Sequence, residues 1–133
     1  MTKGHRTSTL LSVLLCMVGS PLWAQVPAEL QRAMQERDQA VDKVDAMTWD
    51  RLTAPNFTVV DATGTFLTKA QRLAELKTQK PAAPTTRERV QIEPYGNVFV
   101  RRFLSGGNWV LDVWLKDSAG WRVVAVQVTP AKK

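Results

Sequence analysis

Two apolar runs near the end of the chain, N-W-V-L-D-V-W-L-K at residues 108–116 and W-R-V-V-A-V-Q-V at 121–128, are joined by D-S-A-G. Both are rich in Val, Leu and Trp, and a Gly-containing turn separates them, which predicts a β-hairpin. Each run is longer than the usual strand of about 5–6 residues, so the pair belongs at the centre of a sheet. Asp112 and Gln127 interrupt the apolar pattern, and a buried polar side chain needs a partner or a task. With a four-residue loop at 117–120, Lys116 opposes Trp121, Trp114 opposes Val123, Asp112 opposes Ala125 and Val110 opposes Gln127. Asp112, Trp114 and Gln127 then share one face, and a one-residue slip would separate them.

The first 24 residues read as an export signal. Lys3, His5 and Arg6 precede an apolar stretch at 9–18, Gly19, Ser20 and Pro21 break it, and Leu22-Trp23-Ala24 precedes Gln25. This is the pattern of a secretory signal peptide cleaved after Ala24, and it predicts a periplasmic or secreted protein. The apolar stretch is shorter than the roughly 20 residues of a membrane span, so no stable membrane insertion is expected after cleavage; an uncleaved anchor is the alternative. Leu15 stands before Cys16 where a lipoprotein signal has a small residue. Cleavage leaves residues 25–133 as one domain, large enough for a single modest core. The whole chain has a net charge of +6, and losing Lys3 and Arg6 brings it to +4. The basic residues are scattered and form no helical run with interleaved aromatics, so nucleic acid is not an expected partner.

Cys16 and His5 are the only Cys and His, and both lie in the leader. The domain after it has no disulfide, no thiol nucleophile and no imidazole base. That excludes a structural zinc site of the Cys/His type and a Ser-His-Asp triad. A hard cation held by carboxylates stays open, although the sequence has no Asp-rich loop of the calcium type; no metal or cofactor is expected. Proton chemistry is left to Asp, Glu, Tyr, Lys or Arg.

Leu30, Ala33, Met34, Ala40, Val41 and Val44 recur at helical spacing and predict a helix over 27–43, with Pro27 in its first turn. The opposite face, with Glu29, Arg32, Glu36, Arg37 and Lys43, is expected to meet water. Asp45 caps a second, shorter helix with Met47, Trp49 and Leu52, which Pro55 ends. Residues 57–61 and 66–67 read as strands around an Ala62-Thr63-Gly64 turn, and Thr68 with Gln71 makes a capping box for a third helix. Pro81 and Pro84 bound a loop. Strands follow at 87–94 and 98–104, then the closing hairpin. Two helices, two strands, a helix and four consecutive strands define an α+β domain, with a strongly bent antiparallel sheet packed on the helices.

F-T-V-V-D-A-T-G at 57–64, the T-K-A-Q helix start at 68–71, Y-G-N-V-F-V at 95–100 and the closing hairpin occur in an order and spacing that resemble the nuclear transport factor two-like superfamily. Within it the chain is most similar to the SnoaL-like bacterial branch, usually described as a domain of unknown function. The likeness spans residues 28–129. It implies a cone of the cystatin-like or ketosteroid-isomerase-like kind, in which the bent sheet wraps a helix and encloses a pocket. Members include ketosteroid isomerases, polyketide cyclases, epoxide hydrolases, dehydratases and non-catalytic binding or dimerisation modules, so the fold does not choose among functions. Many relatives carry a pocket-facing His on the last strand. Gln127 stands at the matching position, where a neutral hydrogen-bonding group replaces a base.

Asp112 is the first candidate for chemistry, because a carboxyl buried among Trp and Val suits a general base or a neutral donor. The plainer alternative pairs it with Arg102 or Arg122 on a solvated face. Gln127 either orients a ligand or makes a structural bond. Trp49 and Trp114 are core or pocket wall, Tyr95 is a turn residue or an acid, and Asp61 belongs to a turn or to the cone mouth. Arg101 and Arg102 project to opposite faces, so only one lies inside. The first functional reading is an exported protein that binds a small, mostly apolar molecule through Trp114, Asp112, Gln127, Trp49 and Tyr95. The second is an isomerase, cyclase or dehydratase with Asp112 as base and Gln127 or Tyr95 at the oxyanion. The third is a non-catalytic module that forms a homodimer through the outer sheet face.

Overall fold

A computed structural model describes residues 25–132; the expected export signal, residues 1–24, lies outside them. The elements are α1 (Ala28–Lys43), α2 (Ala46–Arg51), β1 (Thr53–Val60), β2 (Phe66–Thr68), α3 (Lys69–Thr78), β3 (Glu88–Tyr95), β4 (Val98–Ser105), β5 (Asn108–Asp117) and β6 (Gly120–Pro130). Kind and order match the sequence expectation. The strands form one curved, unclosed sheet in the order β2-β1-β6-β5-β4-β3, with β5 and β6 at its centre. Neighbours are antiparallel except β1 and β6, which run parallel.

Local chemistry accounts for the joints. Val44 ends α1 in the left-handed region at φ 57°, and its N–H reaches the carbonyls of Ala40 and Val41. The reversal frees Asp45 to cap α2, where its carboxylate accepts the Thr48 N–H at 3.1 Å. Pro55 does not end α2; it lies inside β1. The β1–β6 pairing is interrupted between Thr53 and Thr58, so the missing N–H of Pro55 leaves no ladder bond unmade. Thr68 and Gln71 form the expected capping box at the start of α3.

The core lies between the concave face of the sheet and the helices. Leu30, Met34 and Ala40 of α1 meet Trp49, Phe57, Leu76, Phe99, Trp114 and Val123. Trp49 and Trp114 are the largest fully buried side chains. Indole rings bury about 150–250 Å² each, worth roughly 4–6 kcal/mol before conformational entropy is counted.

The closing hairpin keeps its expected register only near the tip. Lys116 pairs with Trp121 and Trp114 with Val123, but Val113 then pairs with Ala125 and Val124 has no partner. This β-bulge moves Asp112 opposite Val126 and Gln127 opposite Leu111. Side chains alternate along a strand, so one extra residue transfers Gln127 to the convex face, away from Asp112 and Trp114.

Candidate functional site

Arg101, Asp112 and Val126 are cross-strand partners on β4, β5 and β6 and form one row on the concave face. Beneath the helices this row borders a cavity of about 410 Å³, within the range of small-molecule sites. Trp49, Phe57, Val59, Phe103, Val126 and Val128 supply apolar wall. Nine charged residues line it too: Arg37, Asp38, Asp42, Asp61, Arg72, Glu75, Arg87, Arg101 and Asp112.

Five of these form a ladder of alternating sign from the sheet to α1. The Arg101 Nε donates to both Asp112 oxygens at 3.2 and 3.1 Å, and its Nη2 donates to Oδ2 at 2.6 Å. The far side of the same guanidinium holds Asp38 by two bonds of 2.9 Å. Arg87, at the end of the loop after α3, stands 3.1 Å from Asp38 and donates to Asp42 at 3.1 and 3.3 Å. Burial works against the charge on Arg101, but Asp112 and Asp38 more than offset it and raise its pKa above the ordinary guanidinium value. The guanidinium also lies 4.5 Å from the Phe103 ring centroid.

Asp112 has no free acceptor site. A carboxylate offers about four lone-pair positions; three bonds from Arg101 and one from the Trp114 indole at 2.8 Å occupy them. Asp112 is therefore buried as expected, but its partner is Arg101 rather than Arg102 or Arg122. The two arginines face opposite ways, as expected; Arg101 is the one that points inward, and Arg102 pairs outside with Glu93 at 3.3 Å.

Arg37 differs from the other eight charged residues of the cavity. Each of those has an ion pair or a side-chain hydrogen bond. Arg37 has neither among the described residues, and its Nε is buried without a partner. The residue is 6 % exposed, although its place on α1 suggested water. Its guanidinium lies 5.1 Å from the Trp49 ring centroid and 5.6 Å from that of Phe57. Burial pushes its pKa down to about 10, with Asp112 pulling the other way, so it stays charged at neutral pH.

Of the candidates taken from sequence, Asp112 and Trp49 line the cavity. Trp114 is 0 % exposed and lies in the core behind it. Gln127 is exposed on the convex face. Tyr95, 54 % exposed, donates its hydroxyl to Glu93 at 2.7 Å. No dry constellation of Asp112, Gln127 and Tyr95 exists. Asp61 both makes a turn and borders the cavity; the Thr63 hydroxyl, with the Thr65 and Thr63 amides, holds its carboxyl below the usual range. The sequence reading missed Arg37, Asp38, Asp42 and Arg87.

No family model matches the sequence, and no curated protein matches it. Solved structures do. An NTF2-like protein from Cytophaga hutchinsonii superimposes with a TM-score of 0.70 at 16 % identity, over 76 % of this chain and 94 % of that one. The CaMKII hub of S. rosetta gives 0.66 at 20 % identity, over 80 % and 100 %. A ketosteroid isomerase-like protein from Shewanella frigidimarina gives 0.64 at 11 % identity, over 77 % and 95 %. The chain thus has the NTF2-like α+β fold, and at these identities the likeness extends to the fold alone.

Proposed function

We propose that the chain is an exported single-domain protein of the SnoaL-like kind that binds a small molecule with an apolar body in the cone cavity. The cavity itself carries this reading: about 410 Å³, with a wall of Trp49, Phe57 and the β6 valines and few polar groups free to bond. Export rests on the leader pattern of residues 1–24. The enzyme reading is weaker, because Asp112 is saturated by Arg101 and Trp114 and Gln127 faces outward. Adding neutral fragments such as indole and phenylacetamide, and following methyl and indole NMR signals, tests the proposal. Shifts should cluster at Trp49, Val126 and Val128, and Val128→Phe should abolish them by filling the space. Shifts elsewhere, or none, would refute the cavity as the site.

A second reading concerns assembly. The described helices lie on the concave side, while Val100, Val113 and Ala125 form a cross-strand apolar row on the convex side, with Leu111 beside it in the next row between Arg102 and Gln127. A second copy placed there would cover this row, and Arg102 beside Glu93 gives its margin both signs of charge. The likeness to a hub domain is in keeping with self-association of some order.

A further inference from the structure

We propose that Arg37 anchors the carboxylate of a small organic acid whose apolar body lies against Trp49, Phe57 and the valines of β6. The inference rests on the cavity being the binding site, and it names the class of ligand.

Arg37 is the one charged cavity residue without a hydrogen-bonded or ion-paired partner among the described residues. A guanidinium has five N–H donors in a rigid fork. On Arg101 every nitrogen of that fork is committed to Asp112 or Asp38. On Arg37, packed against two aromatic rings, the Nε is buried without a partner and no acceptor among the described residues meets the guanidinium. The rings offset part of the desolvation, since a cation over an aromatic face is attracted to it. They leave the in-plane donors unfilled. A planar carboxylate matches those donors in two parallel charge-assisted bonds.

Net charge does not draw the anion in. The nine charged lining residues comprise four Arg against five Asp and Glu, a formal sum of −1. The carboxylates are quenched where they stand: Asp112, Asp38 and Asp42 by Arg101 and Arg87, Glu75 by Arg72, and Asp61 by its own turn. Recognition is therefore local. It favours a singly charged, flat head group over phosphate, whose second charge would meet the surplus acid of the wall. The Trp49 and Phe57 rings next to the guanidinium call for an apolar group close behind the carboxylate.

Matched pairs of probes test the anchor: phenylacetate against phenylacetamide, and octanoate against octanol. Each is titrated into the full chain by calorimetry, with NMR of the cavity valines reporting where it binds. The acid should bind tighter than its neutral partner by about ten- to a hundredfold, the scale of one hydrogen-bonded charge. Arg37→Met should remove that advantage, so that the acid binds no tighter than its neutral partner. Arg37→Gln, which keeps donors without charge, covers the case in which Arg37→Met does not fold, and it should bind acid and amide alike. Equal binding of acid and neutral partner by the native chain, or unaltered acid binding in both variants, overturns the anchor and leaves the cavity reading standing. If no probe shifts the cavity valines, both fail.

Discussion

Three arginines within the same domain stand in three energetic situations. Arg101 is buried and fully paired, Arg102 is half-exposed and singly paired, and Arg37 is buried and, among the described residues, unpaired. Arg101→Met would strand the Asp112 and Asp38 carboxylates, so a loss of about 3–5 kcal/mol is expected in urea unfolding. Arg102→Met should leave the melting curve unchanged. Arg37→Met should stabilise the fold, by about 1 kcal/mol, because a buried charge without a partner is a cost that the apolar side chain does not carry. Because burial depresses the Arg37 pKa to about 10, the folded chain binds that proton less tightly than the unfolded chain. The penalty is complete below pH 10 and fades as pH rises towards the ordinary guanidinium value. The gain from Arg37→Met should shrink over that window in paired melts. A variant less stable than the parent at pH 7 would make Arg37 a structural residue.

The elements themselves were legible in the sequence, because each has a clear period and punctuation. Thr68 and Gln71 announced α3, and Thr68→Ala should cost about 1 kcal/mol with an unchanged urea m-value. An unaffected midpoint would mean that the capping box contributes nothing to α3. The site was less legible, for two different reasons. The Arg37 signal was present: Leu30, Ala33, Met34 and Arg37 follow the spacing of a single helical stripe, so Arg37 occupies an apolar position. The Arg101–Asp112 pair was present too, since the turn that joins Ser105 to Asn108 sets Arg101 opposite Asp112. The bulge left no comparable trace. Val123, Val124, Ala125 and Val126 are all small and apolar, so the pattern is equally satisfied whichever of them is the extra residue. The misplacement of Gln127 followed from that degeneracy.

For the molecule as a whole, the two faces of the sheet divide the work: the concave face encloses the cavity, and the convex face is free for a second copy. Size-exclusion chromatography with light scattering should give twice the mass of one chain, and Leu111→Arg should halve it without altering probe binding in the cavity. A single-chain mass at every concentration would remove the dimer reading. The parallel β1–β6 pair has a separate, kinetic consequence. It joins Val60 to Gln127, far apart in the chain, and seats β6 between β1 and β5. Closing so long a loop before any contact repays it slows folding. Nearly the entire domain must be present before the middle of the sheet can exist, so the earlier strands wait as an open edge and the cavity is among the last features to close.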